Sequence, residues 1–268
     1  MNSSELGDDE LAFQHSWRER YHNKIVCVTG SSRGIGKQLT QRFAAEGADV
    51  VVHYFRNGDA ARETAAEVEA LGHKALVVKA NLADPEKVEQ LFDVIQETYG
   101  RLDVYVHNAA SGRNRPILEL DTKGWDWTVH VNARAYLLGG QRAARLMDQG
   151  GAILAISSFG SYRVVPYYAS VGATKAAIES LTRYFATELA PLRINANTIS
   201  AGAVVTKALE HFPEMDQTWA KMEEKLPYHR MVTADDVANL ALFLCSPEAE
   251  MIRGQTIRMD GGLTLPMV

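Results

Sequence analysis

"KIVCVTGSSRGIGKQLTQRFAAEG", residues 24–47, decides the fold. An apolar, β-branched run ends at Thr29, glycines follow at Gly30, Gly34 and Gly36, and a helix-period segment then runs to Gly47. Strand, tight turn and helix in that order present free backbone N–H groups and the positive end of a helix dipole at the turn. Glycine lets that backbone approach a ligand closely, so the stretch implies a pyrophosphate-binding turn lined by Gly30, Ser32, Arg33, Gly34, Ile35 and Gly36. A glycine pattern by itself is weak evidence; the strand before it and the helix after it give it weight.

Outward from this turn the alternation continues. "DVVVHY" (49–54), "KALVVKA" (74–80), "LDVYVHNAA" (102–110), "GAILAISS" (151–158) and "INANTIS" (194–200) read as strands. "DAARETAAEVEALG" (59–72), "EKVEQLFDVIQETYG" (86–100) and "WDWTVHVNARAYLLGGQRAARLMD" (125–148) read as helices, the first stopped by Gly72. Such alternation predicts an α/β fold: one Rossmann-type domain, a doubly wound parallel sheet with helices on both faces and ligands at the carboxyl ends of its strands. That domain is expected over residues 23–268, behind a polar N-terminal extension over residues 1–22. The irregular segment 207–232 is expected to be a substrate lid, in which Phe212, Met215, Trp219, Met222 and Leu226 either line an acyl tunnel or simply pack.

Charge narrows the partner. The 268 residues carry 28 basic and 33 acidic side chains, a net of −5, so nothing draws the chain to nucleic acid or an anionic membrane, and a small-molecule substrate is expected. Cys27 and Cys245 sit in apolar segments without metal-ligand spacing, as reduced core thiols do. No metal site is expected. Lacking a signal pattern or an apolar run near ~20 residues, the protein is expected in the cytoplasm.

The second strand bears on the cofactor. An NAD site places a carboxylate at its end, whereas this chain reads "VVHYFRNG" (51–58) there. Arg33 in the turn and Arg56 after the strand would meet a 2′-phosphate with positive charge, so NADPH is the expected cofactor. Asn81 and Leu82, after the third strand, are placed to border the adenine. Asp84 either joins them or caps the helix that opens at Pro85, the more economical account.

Further motifs carry a resemblance. They are "TGSSRGIG" (29–36), "HNAA" (107–110), "VNARA" (131–135), "ISS" (156–158), the helix bearing Lys175, "SAGAVVT" (200–206) and "MDGG" (259–262). From about Lys24 to Met259 the chain resembles the short-chain dehydrogenase/reductases. Within them it is most similar to the enoyl-acyl-carrier-protein reductases of the third type, through "NAASG" (108–112), "ELDTKGWDWT" (119–128), "SLTRYFATELAP" (180–191) and "MIRGQTI" (251–257).

That resemblance implies catalytic roles for Tyr168, Lys175, Ser158 and Asn132. It also implies cofactor contacts for Asn108, Lys175, Gly202 and Thr206, with Ala201 replacing a common proline. The wider family keeps its tyrosine four positions before the lysine, where this chain has Val171; the third-type spacing of seven selects Tyr168, with adjacent Tyr167 as the alternative. His53 and His107 read as sheet-end residues.

A phenol moved from four to seven residues before Lys175 shifts by ~4.5 Å along a helix yet keeps its face. Its acidity depends on a nearby cation, which Lys175 supplies. In enoyl thioester reduction hydride reaches the β-carbon while charge appears on the thioester oxygen, so a displaced donor suits that chemistry. The expected activity is therefore NADPH-dependent reduction of a trans-2-enoyl thioester, on acyl carrier protein or another carrier, in fatty-acid biosynthesis; a specialised pathway belongs with the carbonyl-reductase alternative. Two rivals stand: a carbonyl (ketone or 3-oxoacyl) reductase, and a silent nucleotide-binding protein in which Val171 records lost activity. Arg113 and Arg115, in "SGRNRP", either meet phosphopantetheine or an acidic carrier or form a solvated loop. The long helices around Asn132 and Lys175 resemble those that pair subunits in the family, implying a homotetramer.

Overall fold

The structure, a computed structural model, describes residues 19–204, 223–224 and 226–265. Among the described residues seven strands form one parallel sheet: β1 (Ile25–Val28), β2 (Asp49–Tyr54), β3 (Ala75–Lys79), β4 (Val104–His107), β5 (Gly151–Ser158), β6 (Ile194–Ala201) and β7 (Thr256–Met259). Their spatial order is β3-β2-β1-β4-β5-β6-β7. The order reverses between β1 and β4, and the crevice beyond the carboxyl ends of these two strands is where a doubly wound sheet binds its ligand.

Sequence explains the sheet's position. Every residue of β1, β4 and β6 is buried, as in strands covered on both faces; β1 accordingly reads as a continuous apolar run, whereas β6 also buries Asn195, Asn197, Thr198 and Ser200. The helices are α1 (Gly34–Ala45), α2 (Gly58–Ala70), α3 (Pro85–Tyr99), α4 (Thr122–Val129), α5 (Ala135–Arg145), α6 (Ala169–Glu188) and α7 (Ala234–Leu244). They divide between the two faces and create two cores. Val26, Val28, Val50 and Val52 belong to the first with Leu39 and Phe43 of α1, and Cys27, Val51 and Tyr105 to the second with Leu91 and Phe92 of α3. Gly47 and Gly72 end α1 and α2 with φ of +100° and +90°.

Three features depart from the sequence reading. The helix expected over 125–148 runs over 122–145 but is not uniform: α4 passes through a π turn, His130–Arg134, into α5. A seventh strand, β7, pairs with β6 along Thr198–Ala201. Tyr21, assigned to the polar extension, is instead 3% exposed, packs edge-on against Phe43 and donates its hydroxyl to the Leu242 carbonyl. Most of the extension and of the lid, with Thr206, Phe212, Met215, Trp219 and Met222, lies outside the described residues; Leu226 is buried.

Candidate active site

The glycine turn is held from three sides. Gly30 N–H donates to His53 Nδ1 at 2.9 Å, and the other ring nitrogen of His53 meets the Ala80 carbonyl at 3.1 Å. Burial lowers the His53 pKa to about 4, so the ring is neutral near pH 7 and Nδ1 can accept. Asn108 Nδ2 donates to the carbonyls of Thr29 and Gly30, tying the turn to the end of β4. A Cβ at Gly36 would come 2.2 Å from the Gly30 carbonyl oxygen and 2.6 Å from Asn108 Nδ2, so no other residue fits there.

The mouth of α1 is open. Arg33 occupies its N-cap position without a side-chain hydrogen bond, and Arg33 and Gly34 are exposed, Ser32 and Ile35 partly so. The first N–H groups of the helix are therefore available to an anion. Arg56 lies beside the Phe55 ring at 5.5 Å and lines a cleft of about 880 Å³ with Arg113, Lys123 and Trp127. Asn81 accepts from Ala83 N–H at 3.1 Å, Leu82 is buried, and Asp84 caps α3 through Glu86 N–H. Gly202, just past β6, donates its N–H to the Met259 carbonyl at 2.8 Å.

The reacting groups expected from sequence meet at the end of β5. Lys175, 4% exposed, donates from Nζ to the Ile156 carbonyl at 2.6 Å, and the Ser158 hydroxyl bonds the hydroxyl of Tyr168. Two strand residues span ~6.6 Å, so both side chains are drawn into one short stretch of the cleft. Desolvation lowers the Lys175 pKa to about 8, with Glu179 acting in the opposite direction. Burial raises the Tyr168 phenol above its ordinary value, and the bond from Ser158 pulls it back.

Backbone geometry separates the two tyrosines. Tyr167 takes the left-handed conformation, φ +63°, costly for a bulky residue, and the residue is 55% exposed. Its carbonyl accepts from Arg115 N–H at 3.0 Å, which holds the turn. The chain thereby reverses at Tyr167 and sends the Tyr168 ring inward over Gly160, where a Cβ would lie 2.6 Å from two ring carbons.

Val171, one turn before Lys175, is sealed. A Cβ on Gly112 would lie 2.3 Å from Val171 Cγ2, so the loop after β4 rests directly on the valine. That loop is fixed by Asn132, buried in the π turn: Oδ1 accepts from Ser111 N–H, and Nδ2 donates to the Ser111 carbonyl and to Thr174 Oγ1. Asn132 thus joins the loop to α6 one residue before Lys175. His107 is buried, its ring 3.1 Å from the Tyr105 hydroxyl, and desolvation with the nearby Lys175 charge lowers its pKa to about 3.

Sequence reasoning missed His53 as the anchor of the glycine turn and Thr174 as a partner of Asn132. A polar residue ending a buried strand was the available signal for the first; no local signal marks the second. Arg113 pairs with Asp121 at 3.8 Å and Arg115 with Glu119 at 3.9 Å, both largely exposed. Arg115, Ile117, Val164 and Pro166 line a cavity of about 340 Å³ that reaches Tyr168.

The chain is similar to known proteins over most of its length. A family model described as enoyl-(acyl carrier protein) reductase matches residues 30–264. The chain is 39% identical over 253 residues to the 1-cyclohexenylcarbonyl-CoA reductase of Streptomyces collinus, covering 94% of this chain and 90% of that one. It is 32% identical over 246 residues to a 3-oxoacyl-(acyl-carrier-protein) reductase of Staphylococcus epidermidis, covering 90% and 99%. Among solved structures, a short-chain dehydrogenase of Burkholderia cenocepacia in complex with NADP is similar with a TM-score of 0.85 and 34% identity, over 91% of this chain and 99% of that one.

Proposed function

The chain belongs to the short-chain dehydrogenase/reductase family of oxidoreductases, and from that premise we propose that it uses NADPH to reduce the carbon–carbon double bond of a trans-2-enoyl thioester. The observation that carries this reading is the exchange of positions at α6: the Gly112 loop closes over Val171, while Tyr168, bonded to Ser158, faces the cleft further upstream. A donor set back in this way suits an oxygen that lies remote from the carbon receiving hydride.

The residues present fit NADPH. The uncapped start of α1, with Gly30, Ser32, Gly34, Ile35 and Gly36, would hold the pyrophosphate, and Arg33 and Arg56 the 2′-phosphate. Asn81 and Leu82 would border the adenine, and Asn108, Lys175, Gly202 and Thr206 would complete the nicotinamide end. NADPH supplies the hydride. Tyr168 stabilises the charge that reduction leaves on the thioester oxygen, and Ser158 orients the Tyr168 hydroxyl. Lys175 adds a cationic field and a donor for ribose hydroxyls, while Asn132 keeps the Ser111–Gly112 loop and α6 in register. The acyl chain enters by the cavity that Ile117, Val164 and Pro166 line.

Resemblance to the 3-oxoacyl reductase supports the competing reading, a carbonyl reductase on the same residues. Purified protein given NADPH and either a crotonyl or an acetoacetyl thioester separates the two by loss of absorbance of the reduced nicotinamide. Oxidation with the crotonyl substrate is expected; turnover of the acetoacetyl substrate alone overturns the enoyl assignment. Binding of NADPH without turnover of either favours the silent protein. Carriage of the substrate on acyl carrier protein or coenzyme A, a homotetrameric assembly and a cytoplasmic location complete the proposal. Among the described residues no helix is long and apolar enough to cross a membrane.

A further inference from the structure

Three successive residues at the end of β5 each hold a different part of α6 or its entry. Ile156 offers its carbonyl to Lys175, Ser158 bonds Tyr168, and between them Ser157 Oγ donates to Glu179 Oε1 at 2.6 Å. The function proposed above uses the outer two contacts and leaves the middle one without a purpose. Ser157 is only 3% exposed and Glu179 partly covered. Removing a carboxylate from water is costly unless a donor and an opposite charge compensate it. Ser157 is the donor. The opposite charge stands four residues earlier on the same helical face, at Lys175.

The surroundings of Lys175 leave the task to Glu179. Its direct partner, the Ile156 carbonyl, is neutral. From β4 it faces His107, held uncharged by burial; from the π turn Asn132 reaches its neighbour Thr174 as a neutral amide; from the entry to α6 comes Tyr168, whose phenol burial keeps protonated. Among the described residues, the anion whose field reaches Lys175 is Glu179.

We infer that Ser157 and Glu179 are a positioning pair for Lys175: the serine pins the carboxylate one helical turn beyond the lysine, and the carboxylate keeps the ammonium charged within the dry cleft. The pair touches neither substrate nor cofactor. It acts through Lys175, and so rests on the role proposed for that residue. Burial alone drives the lysine toward neutrality, and with its pKa at about 8 the balance lies close to working pH, so the carboxylate decides how much of the protein carries the charge. The sign follows: an anion raises a lysine's pKa, and removing it extends the neutral form to lower pH.

The test titrates Lys175 directly. In full-length protein labelled with ¹³Cε-lysine, a Lys175→Arg spectrum assigns the signal, and its midpoint is followed without substrate. Glu179→Gln, which can still accept from Ser157, is expected to lower the midpoint by roughly one pH unit. Ser157→Ala should lower it by a smaller step, and Glu179→Asp should return it toward the wild-type value. The alkaline limb of kcat is expected to move with the midpoint, whereas a merely structural role would scale kcat at every pH and leave the limb in place. An unmoved midpoint in both Glu179→Gln and Ser157→Ala overturns the inference. If Glu179→Gln does not fold, Ser157→Ala decides by the same midpoint, an unmoved value overturning the inference. A shifted midpoint in a protein that turns over no enoyl thioester would refute the proposed activity and leave this pair standing.

Discussion

Helices α1 and α6 begin differently from α2, α3, α4 and α7. In the latter four a side-chain oxygen closes the first turn: Asn57 accepts from Ala60 N–H, Asp84 from Glu86, Asp121 from Gly124 and Thr233 from Asp236. Neither Arg33 before α1 nor Tyr168 before α6 makes such a bond. A cap contributes ~1 kcal/mol; α5 continues directly from the π turn and has no free start to cap, and among the other described helices the two that forgo it are the two whose starts face the cleft. At α1 the open N–H groups are what a pyrophosphate would accept. At α6 the cap position holds a phenol turned toward Ser158. A start that serves stability carries Asn, Asp or Thr; a start that serves ligands carries something else.

Substitutions can break that contrast or sharpen it. The largest effect is expected at the phenol: Tyr168→Phe should lower kcat by about 10²–10⁴-fold, the range of a lost acid–base group, while Tyr167→Phe leaves it within a few-fold. Steady-state kinetics on a crotonyl thioester decide, and equal losses in the two variants would remove the distinction between an inward and an outward ring. Next comes the open start of α1. Gly36→Ala forces a methyl group against the Gly30 carbonyl, and fluorescence titration should show NADPH binding weakened by about 100-fold, near 2.8 kcal/mol. Unchanged affinity would mean that this turn does not hold the cofactor. Replacing Arg33 and Arg56 singly by Ala should each weaken NADPH by about tenfold and leave NADH nearly unaffected, since each removes a charge-assisted contact to the 2′-phosphate alone. Equal losses for both cofactors would take the phosphate away from these arginines. The smallest effect belongs to a closed start. Thr233→Ala removes the hydroxyl that accepts from Asp236 N–H and donates to its carboxylate, and should cost about 1 kcal/mol in urea unfolding without altering NADPH affinity.

The contrast also explains what could be read in advance. β2 and β5 occupy the very residues their apolar runs announced, because a strand covered on both faces carries its burial in its own composition. The glycine turn was legible for the same reason: strand, glycines and helix are contiguous. The π turn was not. What accompanies it is Asn132 reaching Ser111 and Thr174, twenty-one residues back and forty-two ahead, and no local pattern encodes either distance. Similarly, β7 is short and only partly buried, so its apolar signal is faint; its pairing with β6 defines it. Adjacent tyrosines left two readings open in sequence because the choice depends on one backbone angle, the positive φ of Tyr167. His53 looked like a strand end, and its ring proved to be the acceptor for Gly30.

The fit of Gly112 against Val171 has a consequence for covariation. A Cβ at 112 would collide with the valine, so a larger residue at 112 calls for a smaller one at 171, and the two positions should change together.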